Sequence, residues 1–190
     1  ILLHGEKKMN ILKNKKGLST VVTTLIILVV SVLLATVVTF YAINVTTTRV
    51  QEESMQVTKL HNWHNGTTFA EAALLVINTG GRDVVLDKIT VRGQTVPWTN
   101  VYWNKTQSTI NVDLTYVTPN ADSTLTGKWV QLNLKDYNLT VASDHMTLKS
   151  GDSVIIYLTN PDHVGVNDIG VTIGVTIFTA NAQYYKEANV

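Results

Sequence analysis

The hydrophobic pattern of the chain changes once, from a long uninterrupted apolar run to short alternating segments. Residues 18–43 read LSTVVTTLIILVVSVLLATVVTFYAI, and no charged residue occurs between Lys16 and Arg49. From about Thr67 onward, apolar and polar residues alternate with a period of two, which is typical of half-buried β-strands. The pattern therefore predicts an α+β chain, with a long N-terminal hydrophobic helix followed by an all-β sandwich domain.

The apolar run is long enough to cross a membrane. Its 26 residues would span roughly 39 Å as a helix, more than the roughly 30 Å of a bilayer core. Fifteen of them are Val, Ile or Thr, which favour strands in water. A lone strand in lipid would leave its backbone N–H and C=O groups unpaired, so a single spanning segment must be helical.

The spacing of apolar residues predicts that the helix continues beyond the run. Phe40, Ile43, Val50, Val57 and Leu60 recur at intervals of three and seven, which predicts one helix over residues 18–62. The alternative is a solvated stalk over residues 46–59. The Asn-Gly turn that follows predicts a break before an outer domain over residues 67–190.

Turn-forming clusters divide the outer domain into short strands. Clusters of Gly, Pro, Asn and Asp, which favour turns, occupy residues 79–83, 119–122, 150–152 and 160–162. The predicted strands are Phe69–Asn78, Val84–Val91, Thr95–Trp103, Thr109–Val117, Lys128–Leu134, Ser153–Leu158 and Gly170–Tyr185. About seven strands at this spacing predict an immunoglobulin-like sandwich or a small barrel.

Composition and charge agree with this division and add an orientation. The chain contains 27 Thr and 26 Val, residues that favour β-strands in water. It contains no cysteine, so disulfides and thiolate chemistry are excluded. Five of its fifteen basic residues precede Gly17, which places the N-terminus inside and the remainder outside. The rest of the chain is mildly acidic and lacks the basic stripe of nucleic-acid-binding proteins.

Three interpretations of the N-terminal segment compete. A cleaved secretory signal has an apolar core of only about 7–15 residues followed by a small-x-small site, whereas this run is longer and ends in Phe40-Tyr41-Ala42. The second interpretation is a permanent anchor. The third is processing at Gly17, before the apolar run.

The third interpretation rests on Lys15-Lys16-Gly17-Leu18, where the lysines and the glycine directly precede the apolar run. This arrangement resembles the class III signal peptide of archaeal type IV pilin-like proteins, which a prepilin peptidase cuts after Gly or Ala. Cleavage would fall between Gly17 and Leu18, so that residues 1–17 form a basic leader with Met9 as its expected start. Bacterial pilins usually carry Glu at the fifth mature position, and Val22 stands there in this chain, which favours the archaeal branch.

The resemblance implies a structural subunit of a cell-surface filament that serves adhesion. The chain would sit in the cytoplasmic membrane first and then form a helical homopolymer, with a prepilin peptidase, an assembly ATPase and a membrane platform protein as partners and no cofactor. The segment 78–93 is also similar to the first hairpin of archaeal filament sandwiches. The residues predicted to form the filament core are Leu25, Ile26, Leu28, Val29, Val32, Leu33, Val37, Phe40, Ile43 and Val50.

Groups that could carry other chemistry are few. His61 and His64 would share a face of a helix but lack a third metal ligand, and the Asp residues near 162 and 168 match no calcium loop. No nucleophile-elbow or zinc-protease motif is present, so neither an enzyme nor a metal site is predicted. The rival hypothesis is a single-pass membrane-anchored extracellular binding module. Trp98, Tyr102 and Trp103 could form an aromatic platform for a sugar or another surface, and the alternative, which is the more common outcome, is a buried strand pair with one exposed ring.

The chain contains four Asn-x-Ser/Thr sequons, and an exported domain makes their modification plausible. Asn65 and Asn104 are predicted to lie in exposed turns and, with Asn138 between strands, are the candidate glycosylation sites. Asn44 lies at the end of the apolar helix, where a glycan would obstruct helix packing, so we expect it to be unmodified.

Overall fold

The computed structural model describes residues 14–50, 52–161 and 164–190, without the side chains of residues 14–16, 49 and 50. The chain divides into two compact units between Thr48 and Arg49. The first contains nearly all of helix α1, which spans Asn14–Val50. The strands of the second are β1 Met55–His64, β2 Ala70–Asn78, β3 Val84–Val91, β4 Gln94–Thr95, β5 Val101–Thr106, β6 Trp129–Leu132, β7 Lys135–Asn138, β8 Thr140–Val141, β9 Met146–Leu148, β10 Ser153–Thr159, β11 Thr172–Thr179 and β12 Gln183–Asn189.

The strands form two antiparallel sheets and a separate hairpin. The first sheet has the order β1-β2-β10-β5-β8, and the second has the order β12-β11-β3-β4, with β9 also paired to β3. The hairpin consists of β6 and β7. The predicted α+β architecture, an apolar helix followed by a β-sandwich, is confirmed.

The first sheet is buried on both faces. In β2, the side chains of Ala72, Leu74 and Val76 join the cluster between the two sheets, whereas those of Ala73 and Leu75 join a second cluster on the opposite face. Strand β10 divides its side chains in the same way. Two-sided burial explains why β2 and β10 are almost continuously apolar and not alternating.

A non-strand segment covers the outer face of the first sheet. Residues 107–128, described throughout, contain no strand, so the predicted strand Thr109–Val117 is wrong. Ile110, Leu114 and Val117 nevertheless insert into the second cluster. Their neighbours' backbone groups bind side chains instead of a partner strand, as when Tyr157 Oη donates to Thr115 O at 2.8 Å. Such bonds satisfy a buried backbone outside a sheet.

The predicted helix over residues 18–62 is too long, because α1 ends at Val50 and residues 55–64 form β1. Lys59 adopts a φ of 51°, and the pairing register between β1 and β2 shifts between Thr58 and His61. This bulge inserts one residue and changes the parity of the inward positions, so that Val57 and Leu60 share the core three residues apart. The spacing that suggested a helix is that of a bulged strand, which also excludes a solvated stalk reaching to residue 59.

Other predicted strands differ in their ends. The segment predicted as Thr95–Trp103 is interrupted by a 3-10 turn at Trp98–Asn100, and Gly170–Tyr185 contains the start of a hairpin, β11 with β12. Strands β2 and β3 lie in different sheets, so their connection crosses the sandwich and they do not form a hairpin with each other. The short strands β7, β8 and β9 were not predicted.

The chain enters the sandwich through a tight junction. The carbonyl of Ser54 accepts the N–H groups of Thr79 and Gly80, both at 2.9 Å. A Cβ on Gly80 would lie 2.7 Å from both Glu52 O and Ser54 N, which is too close for any other residue. We call the end of the sandwich that contains Ser54, Thr79 and Gly80 the proximal end.

Candidate functional site

Helix α1 carries a segment, Gly17–Thr48, that is long and apolar enough to cross a membrane, and none of it is buried within the structure. A signal sequence near an N-terminus meets the same criteria of length and composition. The exposed helix indicates membrane insertion or a signal sequence, and it is the most prominent unpartnered surface among the described residues.

The apolar surface extends around the whole circumference of the helix. Residues 25–30 read LIILVV, and each of these six side chains is about half exposed or more. Six consecutive positions cover more than one full turn at 3.6 residues per turn. The helix therefore has no polar face in this part, unlike the amphipathic helix of a globular domain.

Most hydroxyl groups of the helix are bonded to its own backbone. Thr23, Ser31, Thr36 and Thr39 donate to the carbonyl four residues earlier at 2.7–2.8 Å, and Thr24 donates three residues back at 2.9 Å. These bonds remove the main cost of burying a hydroxyl in an apolar medium. The many threonines thus fit lipid or a helix bundle as readily as the aliphatic residues do.

This surface must be covered for the protein to be stable in water. Each exposed Leu, Ile or Val forgoes roughly 1.5–3 kcal/mol of burial free energy. Two environments match its composition, a lipid bilayer or other apolar helices.

One side of the helix carries several small side chains. A shallow, open groove on this side is lined by Val32, Ala35, Thr36, Thr39, Phe40 and Ile43, of which Ala35, Thr36 and Thr39 have small side chains. Small residues let two helix backbones approach closely, which supplies the van der Waals contact that drives association where no water is present.

The predicted filament-core residues lie on this exposed helix. The side chains of Leu25, Ile26, Leu28, Val29, Val32, Leu33, Val37, Phe40 and Ile43 are all more than half exposed. Val50 is the last helical residue, and its side chain lies outside the described ones.

The predicted processing residues fall at the start of α1. The backbones of Lys15, Lys16, Gly17 and Leu18 are helical, and Leu18 is 70% exposed. The side chains of the two lysines, and residues 1–13 with Met9, lie outside the described part.

Sequence reasoning missed a buried glutamate in the sandwich. Glu71 on β2 is 1% exposed, and its Oε1 accepts the N–H of Val117 at 2.9 Å. Its Oε2 is buried without a hydrogen-bond partner. Burial raises the pKa of Glu71 to about 8, although the Val117 N–H lowers it. A single Glu inside the apolar stretch AEAALLVI was the available signal.

The histidine pair does not form a helical metal site, because both residues lie on β1. His61 stacks on Trp63 with ring centroids 5.5 Å apart, and the Nδ1 of His64 accepts the N–H of Gly66 at 3.0 Å. No group of three or more potential metal ligands occurs among the described residues.

Of the two aspartates considered for calcium, Asp162 and Asp168, only Asp168 lies among the described residues. Asp168 pairs with Arg92 at 2.7 Å and accepts the N–H of Gly165 at 2.8 Å; these contacts lower the pKa of the Asp168 carboxyl. Asp162 and His163 lie outside the described residues.

The three clustered aromatic residues do not form a platform. Tyr102 is buried in the outer cluster of the first sheet, whereas Trp98 and Trp103 pack against the cluster between the sheets. Consecutive residues of a strand point to opposite faces, so Tyr102 and Trp103 cannot present one surface to a sugar.

The candidate glycosylation sites differ in exposure and in which side-chain atom, Oδ1 or Nδ2, forms hydrogen bonds. Asn65 lies in an exposed turn, and its Oδ1 accepts the N–H groups of residues 67–69 at 2.9–3.1 Å. Asn104 instead lies half-buried on β5, not in an exposed turn as predicted, and its Nδ2 donates to Asn138 O at 2.7 Å. Asn138 is half-buried on β7, with its Oδ1 buried and unpartnered.

We expect a glycan on Asn65 and none on Asn104, because a glycan attaches to Nδ2 and only Asn104 uses that atom to hold two strands together. Glycopeptide mass spectrometry of the native protein measures occupancy at each site. Asn65→Gln should remove one glycan mass, whereas the matched Asn104→Gln should leave the mass of the attached glycans unchanged. Occupancy at Asn104 with Asn65 bare would contradict the prediction.

The sequence matches no protein-family model and no curated protein.

Proposed function

We propose that this chain is the structural subunit of an archaeal type IV pilin-like cell-surface filament, which polymerises through helix α1 and serves adhesion. The observation that carries the proposal is the helix itself, which is apolar on every side, unburied, and bonded internally at its hydroxyl groups. The β-sandwich is the part that would face the outside of the filament.

The position of the lysines supports processing between Gly17 and Leu18. Removal of the leader would take away the basic residues that precede Gly17 and leave the apolar helix attached to the sandwich. The mature helix would then begin at its apolar run, with no charge before Arg49. Once such a helix leaves lipid, it can bury its surface only against the same helix of other subunits.

This arrangement favours an open polymer over a closed oligomer. Helices that pack in a staggered, heterologous manner generate helical fibres when the rotation between neighbours does not close. The prepilin peptidase, the assembly ATPase and the membrane platform protein are the partners that such a pathway requires.

The N-terminal residue of the native protein tests the proposal. We expect mass spectrometry of material sheared from cells to give a start at Leu18. Gly17→Val should leave the leader attached, keep the protein in the membrane fraction and remove filaments, because a bulky residue replaces the small one at the cut. Gly17→Ala is the matched control and should be processed, since a Cβ at Gly17 meets no atom within 4 Å.

The opposite result has a definite meaning. A native start at Met9 or earlier, with protein found only in membranes, would reject the filament and leave the single-pass membrane-anchored binding module as the better account. Filaments that form normally from the Gly17→Val variant would reject processing at this site.

A further inference from the structure

The turn of the β6–β7 hairpin carries an unusual residue. Asn133 and Leu134 form a two-residue loop, and both have positive φ values, 51° and 63°. This is the geometry of a type I′ turn, for which Asn-Gly is the favoured pair. Leucine has a Cβ that disfavours the left-handed conformation, so local folding does not account for Leu134.

Burial does not account for Leu134 either. Its side chain is 95% exposed, more than any other large apolar side chain that the structure describes. The turn is nevertheless held firmly, because Asn133 Nδ2 donates to Thr109 O at 2.7 Å and Lys135 Nζ lies 3.4 Å from Ser108 Oγ. Leu134 is thus a fixed apolar knob.

The knob lies at the proximal end of the sandwich. The segment that anchors it, residues 107–109, follows β5 directly, and Gln107 Nε2 donates to Asp152 Oδ1 at 3.0 Å. Asp152 O in turn accepts the N–H of Asn78 at 3.0 Å, beside the junction at Gly80. The hairpin also covers the outer face of the first sheet, where Val130 and Leu132 enter the second cluster.

A second set of exposed apolar side chains lies at the opposite end. Val166, Ile169 and Val171, which we call the distal patch, are 43–54% exposed within one turn of six residues. The turn is fixed by the pair Gly170 N to Val190 O at 3.0 Å and by the Arg92–Asp168 ion pair. The turn leads directly into β11 of the second sheet, and the first half of β11 pairs with the last residues of β3, where the chain turns back into β4. Strand β3 begins at Val84, shortly after Gly80 at the proximal end, so its last residues and this turn lie at the opposite end.

We propose that Leu134 of one copy of this chain docks on the distal patch of a second copy, so that sandwich domains contact each other head to tail. The two surfaces are both apolar and lie at opposite ends of the domain. Leu134 belongs to the hairpin that covers the first sheet, whereas the distal patch adjoins the second sheet. A contact between unlike surfaces leaves a free knob and a free patch on every pair, which makes the association open-ended. The proposal rests on the filament function, to which it adds a contact between the outer domains.

A second copy fits this geometry better than a membrane does. A lipid surface would account for an exposed leucine beside Lys135, but it would leave the apolar patch at the other end without a partner. A second copy covers both surfaces with one contact.

Cysteine crosslinking tests the contact directly, because the chain has no cysteine of its own. The full chain with Leu134→Cys and Ile169→Cys, assembled in cells and treated with a short bismaleimide, should give a ladder of covalent dimers, trimers and longer species. The matched control combines Thr126→Cys with Ile169→Cys, which keeps the distal cysteine and moves the other to an exposed turn; it should stay monomeric.

Each alternative result is informative. Dimers from Leu134→Cys alone would indicate a knob-to-knob contact and overturn the proposal. Normal filaments with a cleaved leader and no ladder would overturn the contact but keep the filament function. A ladder in membranes without filaments would support the contact and reject the filament. A polarity-sensitive dye can be attached to the thiol of the Leu134→Cys variant. If this dye responds to phosphatidylserine vesicles and the double-cysteine variant gives no ladder, Leu134 contacts a membrane and the proposed contact is overturned.

Leu134→Gly separates assembly from folding. Glycine suits the left-handed position and removes no buried contact, so the monomer should melt roughly 2–4 °C higher. The concentration needed for assembly should rise by roughly tenfold or more, as expected for a lost leucine anchor. Val85→Gly, which removes an exposed aliphatic side chain at an ordinary strand position of β3, should give neither the gain in stability nor this loss. Unchanged assembly of Leu134→Gly would overturn the proposal.

Discussion

For the proposed filament subunit, Leu33→Lys is expected to abolish assembly into surface filaments while leaving the β-sandwich folded. Leu33 lies near the middle of the segment Gly17–Thr48, and its side chain is 59% exposed. A lysine at the centre of a membrane helix costs about 3–4 kcal/mol relative to leucine. In a bundle of apolar helices the same charge would have no counter-ion, because no acidic residue occurs between Lys16 and Arg49.

The measurement is filament yield by electron microscopy, together with the amount of protein in sheared and membrane fractions. Leu33→Ala should reduce the yield less, because it removes burial without adding a charge. Thr126→Lys adds the same charge to an exposed turn of the sandwich and should assemble normally. Wild-type yield from Leu33→Lys would show that α1 is not the assembly surface.

The largest expected effect on folding comes from Glu71→Gln. Glu71 has a pKa of about 8 in the folded chain against an ordinary value of 4.5. Between these two values the folded chain keeps a proton that the unfolded chain has lost, so the free energy of unfolding falls as pH rises. The loss is complete above pH 8, and the difference between the two pKa values corresponds to about 5 kcal/mol.

The groups that face Glu71 do not offset this effect. Tyr157 on β10 and Tyr116 in the covering segment are the neighbouring titratable groups, and the negative charge of Glu71 helps to raise both of their pKa values, after burial itself. Neither tyrosine can neutralise a carboxylate. Above pH 8 the structure must therefore hold a buried carboxylate, one of whose own oxygens, Glu71 Oε2, has no hydrogen-bond partner.

Glutamine mimics the protonated form, since it is uncharged and its oxygen can still accept the N–H of Val117. We expect Glu71→Gln to match the wild type near pH 5 and to exceed it by several kcal/mol near pH 9. Urea unfolding of the full chain in detergent, followed by tryptophan fluorescence, measures both. Glu52→Gln changes an exposed glutamate and should leave the pH profile unaltered. Equal pH slopes for Glu71→Gln and the wild type would contradict the assignment.

The sequence alone predicted the helix and the sheet class because both follow from local pattern. The apolar run at 18–43 has one stable form in lipid, since only a helix pairs its own backbone. Strand Val84–Val91 was predicted to the residue, because its alternation and its flanking turns depend on near neighbours. The predicted membrane orientation likewise rests only on the position of the lysines before Gly17 in the chain.

Three features were decided only by tertiary structure, because each depends on contacts between residues far apart in sequence. The bulge at Lys59 is defined by the pairing of β1 with β2. In the sequence alone, the three-residue spacing of apolar residues that it produces is the same as that of a helix. The segment around Leu114 alternates enough to suggest a strand, yet it packs on a sheet face and binds side chains such as Glu71. The exposure of Leu134 depends on how its hairpin is anchored to Thr109. Local pattern determines which way a backbone prefers to fold, whereas burial and partners are set only when distant segments meet.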